Sequence, residues 1–332
     1  MKQPYPLIFE PLLLEKEFWG GRRLSELLDK ELPPASKIGE SWEISDYPGR
    51  ETRVANGPLA GQTLRRLVEE DVDDVVGGTE LLQGGRFPLL VKYIDAAETL
   101  SVQVHPDDEY ARAHGEISGK KEAWYVVHAE PGAQLIRGVT EETDRASFEK
   151  AVAEGKLDPC LHTFAPRAGD VIMIPWGMVH AIGKGIVLAE IQQTSDVTYR
   201  VYDWNRVDAQ SQGRELHVEQ ALDVIRFEPP ARDACERKLL EENGGRRFEA
   251  VHCDKFVVEI IELDDAVEDA PPEGRFALLN AVSGGAVIES PAGETALPLG
   301  ASALIPACMP GYTIRADGEP ATLLRSYVPS AR

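Results

Sequence analysis

Leu100-Ser101-Val102-Gln103-Val104-His105-Pro106-Asp107-Asp108 is the stretch that decides how this chain is read. Residues two apart on a strand share a face, so Ser101, Gln103 and His105 look one way and Val102 and Val104 the other. Gln103 and His105 can both ligate a metal, and Pro106-Asp107-Asp108 turns the chain just beyond them. One strand face with two such groups is half of a metal site. The complement is sought in Gly169-Asp170-Val171-Ile172-Met173-Ile174-Pro175-Trp176-Gly177-Met178-Val179-His180. There a strand ends at the proline, Gly177 tightens the turn, and His180 enters the next strand facing inward.

A third stretch, Lys120-Lys121-Glu122, opens an apolar strand running through Ala123-Trp124-Tyr125-Val126-Val127. Gln103, His105, Glu122 and His180 together supply two imidazoles, a carboxylate and an amide oxygen. That mixture of borderline nitrogens and hard oxygens suits Zn²⁺, one per chain, with Mn²⁺, Co²⁺ and Fe²⁺ open from the ligands alone. A set completed by water or substrate is of the catalytic kind.

The neighbouring segments also read as strands. Gly39 to Ser45 alternates, with Glu40, Trp42 and Ile44 on one face, and the pattern alone makes Glu40 a solvated edge residue. Phe87 to Asp95 is apolar around the single Lys92, which by the same logic snorkels at an edge. Glu190, Gln192 and Thr194 alternate with Ala189 and Ile191, a polar face aimed at water or at a ligand cavity. Thr198, Arg200, Tyr202 and Trp204 continue the alternation. Short helices are expected around Leu24–Leu28, with Ser25 or a neighbour as cap, twice between 59 and 83, within 140–158, and from Leu216 to Phe227.

Residues 231–247, with Glu241-Glu242-Asn243-Gly244-Gly245, read as a linker, and 248–332 as a second unit of short strands. Gly169 is followed six positions later by Pro175, and Gly300 six positions later by Pro306. The position five past the second proline is Gly311 rather than histidine. The chain thus reads as mainly β: a metal-binding barrel over 1–230 with short helical insertions, and a degenerate copy that lacks the ligand.

The formal charge of −21 on 332 residues opposes binding to nucleic acid or to an anionic membrane. An anionic substrate would require a local cluster of Lys and Arg. Four cysteines without a CxxC pair, together with the lack of any apolar run near membrane-spanning length, point to a soluble cytoplasmic protein.

The stretches 100–107, 120–122 and 175–182, with Glu190-Ile191-Gln192-Gln193-Thr194-Ser195-Asp196-Val197-Thr198-Tyr199-Arg200-Val201-Tyr202-Asp203-Trp204, resemble the short bacterial type I mannose-6-phosphate isomerases of the cupin superfamily. The resemblance runs from Trp19-Gly20-Gly21 to Tyr327-Val328-Pro329. It implies two cupin-type jelly-roll barrels and zinc held by Gln103, His105, Glu122 and His180. It also implies interconversion of mannose 6-phosphate and fructose 6-phosphate through an enediol. Arg200 matches the family's active-site arginine. Glu40, Lys92, Lys120 and Glu190 match polar positions around the substrate, and Ser101 the serine near its phosphate. Lys120 and Glu190 are the candidates for moving the proton. Lys121 stands where longer members often have proline. Two other readings stand beside this one: a metal-dependent cupin oxygenase, which would consume O₂, and a sugar-phosphate-binding cupin without catalysis. The oligomeric state is not legible.

Overall fold

The computed structural model describes residues 3–207, 211–272 and 274–330. Its strands pair antiparallel into two facing pairs of sheets plus one small hairpin. In the first pair, a six-stranded sheet runs Val171–Ile174, Glu122–Ala129, Ile186–Gln193, Leu89–Ala96, Ile38–Ile44, Leu12–Glu15. Opposite it lie Leu161–Phe164, Leu135–Val139, His180–Ile182, Val102–Val104 and Tyr199–Tyr202. The second pair joins an eight-stranded sheet to a four-stranded one.

The strand Ile186–Gln193 shows why this sequence makes this architecture, since all eight of its residues are buried. Val187, Ala189 and Ile191 point outward into a core shared with Val258, Ile260, Leu278, Leu304 and Leu324 of the eight-stranded sheet. Ile186 and Leu188 point inward with Trp124, Ile172 and Ile182. A strand wedged between two cores reads as a continuous apolar run, and its interruptions, Glu190 and Gln192, fall on the inward face. The outer face of the five-stranded sheet, with Val102 and Val104, packs on Phe148 and Ala221 of the helices Arg145–Glu154 and Val218–Val224.

The echo between the two halves is reproduced by the backbone. Gly169 and Gly300 both adopt positive φ, 91° and 77°, a region that favours glycine. Each precedes a four-residue strand, Val171–Ile174 or Ser302–Ile305, ended by Pro175 or Pro306. Where the first copy starts a strand at His180, the second has Gly311 ahead of Tyr312–Ala316. Leu279, Ile288, Ile305, Ile314 and Leu323 supply most of the second interior, beside a buried Arg325 paired with Glu259 and Asp269.

Several local expectations are corrected. The stretch expected as a linker holds the hairpin of Lys238–Glu242 and Gly245–His252, with its turn at Asn243-Gly244. The N-terminal strand Leu7–Glu10 pairs with Ser302–Ile305, so it belongs to the second set of sheets. The helix Arg23–Leu28 begins at Arg22 and has no side-chain cap, so Ser25 does not cap it. Among the described residues no helix is long and apolar enough to cross a membrane.

Candidate active site

Register builds the site. In the five-stranded sheet His180 lies opposite Gln103, and Gln103 opposite Arg200, so the three side chains form one row. In the six-stranded sheet Glu190 sits between Lys92 and Trp124, and Gln192 opposite Glu122. The two rows face each other across the interior of the first barrel.

His105, Glu122 and His180 are fully buried, and their ligand atoms all lie within 4.8 Å of one another. His180 Nε2 is 3.4 Å from Glu122 Oε1, and His105 Nε2 is 3.5 Å from Glu122 Oε2. The Gln103 amide is 3.3 Å from His180 Nε2. His180 Nδ1 lies 2.8 Å from the Met178 carbonyl, which sets its tautomer and leaves Nε2 as the free lone pair. The turn before it holds Gly177 at φ 76°, and the Gly177 N–H donates to the His105 carbonyl at 2.9 Å. Oε1 of Glu122 is buried without a hydrogen-bond donor, while Oε2 lies 3.0 Å from the Lys120 ammonium. A buried carboxylate so placed, flanked by two imidazoles, is a donor set suited to a divalent cation. Burial pushes the His105 imidazole down to about 3, reinforced by the Lys120 ammonium against the pull of Glu122. It is therefore neutral, the form that ligates.

A row of alternating charges runs away from these imidazoles. Lys120 Nζ is 3.0 Å from Glu122 and 3.8 Å from Glu190, Lys92 Nζ is 3.0 Å from Glu190 and 3.9 Å from Glu40, and Lys16 Nζ is 2.9 Å from Glu40. Two tryptophans orient the outer carboxylates: Trp42 donates to Glu40 at 2.7 Å and Trp124 to Glu190 at 2.8 Å. Burial and then the nearby Glu122 carboxylate raise the Glu190 carboxyl, against Lys92 and Lys120. Burial would raise Glu40 too, but Lys92 and Lys16 hold it down at about 2. The two carboxyls are thus tuned in opposite directions, as acid–base sites are.

These groups line a cavity of about 280 Å³. Glu40, Lys92, Lys120 and Glu190 form its floor, with Ser101, Gln103 and Arg200 opposite. Arg200 Nε donates to Ser101 Oγ at 3.3 Å and Nη1 to the Glu215 carbonyl at 2.8 Å. All ten candidate side chains therefore meet in one place. Glu40 is 7% exposed and Lys92 4%, so neither is the edge residue that its pattern suggested. Lys121 does not face the cavity. It points toward the second barrel, pairs with Asp254 and covers the Trp176 ring at 4.1 Å. A shift of register between Arg200 and Tyr202 breaks the expected alternation, and Tyr202 and Trp204 join the outer core instead.

Sequence reasoning passed over Lys16, Asp196 and Arg214, which also line the cavity. Lys16 lies just past the strand Leu12–Glu15, and Arg214 in the irregular segment after Tyr202, where no periodicity marks a face. Arg214 is tied by two hydrogen bonds to Asp203, at 2.8 and 2.6 Å.

Comparison with known proteins agrees with this geometry. Residues 12–140 match the model of the phosphomannose isomerase type I catalytic domain. The mannose-6-phosphate isomerase of Streptococcus mutans is 42% identical over 226 residues, covering 67% of this chain and 70% of that one. The crystal structure of the mannose 6-phosphate isomerase from Bacillus subtilis superposes with a TM-score of 0.87 at 33% identity, over 97% of this chain and 99% of that one. The chain belongs to the type I phosphomannose isomerase family. A variant phosphomannose isomerase from Salmonella typhimurium, at 16% identity and a TM-score of 0.79, shares the fold. Membership of a family of aldose–ketose isomerases sets aside the oxygenase reading, and the cavity fits a small polar ligand, lying just under the roughly 300–1,000 Å³ typical of ligand pockets.

Proposed function

We propose that this chain interconverts mannose 6-phosphate and fructose 6-phosphate, with a zinc ion held by Gln103, His105, Glu122 and His180. The observation that carries the reading is the buried Glu122 carboxylate, its Oε1 without a hydrogen-bond donor, between two buried imidazoles at the end of a cavity lined by lysine and arginine. Bound there, zinc would supply Lewis-acid polarisation of the sugar oxygens near the reacting carbons.

The chain's own residues account for the rest. Arg200 and Ser101 face the floor from the opposite wall and suit a phosphate, because a guanidinium offers paired N–H donors to its oxygens. With Lys16 and Arg214 they reverse the sign of the strongly acidic molecule where an anion must enter. Aldose–ketose conversion moves one proton between adjacent carbons through an enediol, which needs a group that both accepts and returns it. Glu190, with its raised carboxyl and two flanking lysines, suits that role. Lys120 is placed to stabilise negative charge developing on the enediol oxygens. Buried Lys92 and Glu40 orient Glu190 and present polar groups to the sugar hydroxyls. We assign this chemistry to the first barrel and a supporting part to the second. Four free cysteines are consistent with a cytoplasmic setting.

The test is conversion of mannose 6-phosphate in D₂O with and without a chelator. Deuterium at the shifted carbon of fructose 6-phosphate, lost on chelation, is expected. Binding without turnover would leave only the non-catalytic module.

A further inference from the structure

Asp108, the last residue of the stretch that opened the sequence reading, holds no candidate ligand and lies outside the cavity. Its Oδ1 accepts hydrogen bonds from the Gly119 N–H and the Gln193 side-chain amide, both at 2.9 Å. Its Oδ2 takes the Lys255 ammonium at 2.7 Å, and Lys255 comes from the turn before Val257–Leu263 in the second set of sheets. Gln193 passes the constraint on. Its Oε1 accepts the Lys121 N–H and the Trp176 indole N–H, both at 3.0 Å. Trp176 in turn lies under two ammoniums, Lys121 at 4.1 Å and Lys255 at 5.4 Å. The Lys120 N–H also bonds the Pro106 carbonyl at 3.2 Å. A Cβ on Gly119 would come within 2.5 Å of the Asp107 backbone, so the two segments are in direct contact.

This frame joins the segments that deliver His105, Lys120 with Glu122, and His180, and Lys255, beside the neighbouring Lys121–Asp254 pair, ties it to the second barrel, which carries none of the candidate site residues. We propose that Asp108, held by Lys255, is a positioning residue that fixes the Gly119–Glu122 segment, and that the second barrel shapes the active site through this contact. The inference rests on the isomerase reading and assigns the second barrel a part in it. A misplacement of the order of 1 Å at a reacting group costs about a hundredfold in rate, so a partly loosened segment is expected to cost less.

Lys255→Met removes the charge and keeps most of the stem, and Lys255→Arg restores the charge. Hydrogen exchange at the Gly119 amide should rise about tenfold in Lys255→Met. The kcat for mannose 6-phosphate should fall about tenfold with little change in KM, and zinc should leave faster into excess chelator. Lys255→Arg should return all three toward wild type, and Asp108→Asn should repeat the loss. Unchanged Gly119 exchange in Lys255→Met would overturn the proposal. So would a variant that loses thermal stability alone while kcat and zinc release stay at wild type. Failure of the isomerase reading shows separately, as absent turnover in the wild-type enzyme, whereas the exchange measurement reports the clamp whatever the substrate.

Discussion

Trp124 donates its indole N–H to Glu190 at 2.8 Å, while its ring meets His180 edge-on at 5.5 Å between centroids. One side chain thus orients both a candidate metal ligand and the candidate proton carrier. Trp124→Phe keeps the ring and removes the donor, leaving a buried acceptor short of one partner, a loss of about 1–3 kcal/mol. The expected result is a kcat lowered about tenfold with metal content unchanged, checked by steady-state kinetics beside metal analysis.

Lys92 is buried between Glu190 and Glu40. Removing one partner of a buried pair strands the other charge, so Lys92→Met should destabilise the fold by about 3–5 kcal/mol. Adding Glu190→Leu to that variant should recover much of the loss. Urea denaturation of both proteins decides the point; a single variant as stable as wild type would show that the pair is not coupled.

Glu40 gives a pH dependence with a definite sign. Its carboxyl is held at about 2 in the fold against an ordinary 4.5, by Lys92 and Lys16 acting against burial. A depressed folded pKa gives stability that is complete above the ordinary value and is lost as pH falls toward the folded one. The contribution is on the order of 3 kcal/mol at most. Unfolding free energies followed from about pH 5 to pH 2 should fall less steeply in Glu40→Gln than in wild type.

The Arg200 guanidinium donates to Ser101 Oγ and to the Glu215 carbonyl rather than to a candidate metal ligand, so its loss should separate catalysis from metal binding. Arg200→Ala is expected to lower kcat/KM about a hundredfold with zinc retained. Arg200→Lys should recover only part, since an ammonium lacks the paired donors. Wild-type kinetics in Arg200→Ala would remove it from the site.

The candidate ligands were legible because a period of two fixes which side of a strand a residue takes, and Val102 and Val104 mark the other side of Gln103 and His105. Glu40 and Lys92 misled for a related reason. A charge in an apolar run signals an exposed edge only when one sheet face meets water, and these strands are covered on both faces. Tyr202 and Trp204 followed the right period until a bulge at Arg200 changed the register, which no alternation announces. Lys16 and Arg214 come from irregular backbone, where only the folded chain shows what lies near what. Glu241 to Gly245 has the composition of a linker because a tight hairpin turn uses the same residues.

Zinc stoichiometry on paired proteins tests the central claim most directly. The metal-stripped wild-type chain, titrated against a chromophoric chelator, should take up one zinc and recover isomerase activity in proportion, and Glu122→Ala should do neither. A Glu122→Ala chain that binds zinc as tightly as wild type, or a stripped wild type that isomerises at full rate, would contradict the account.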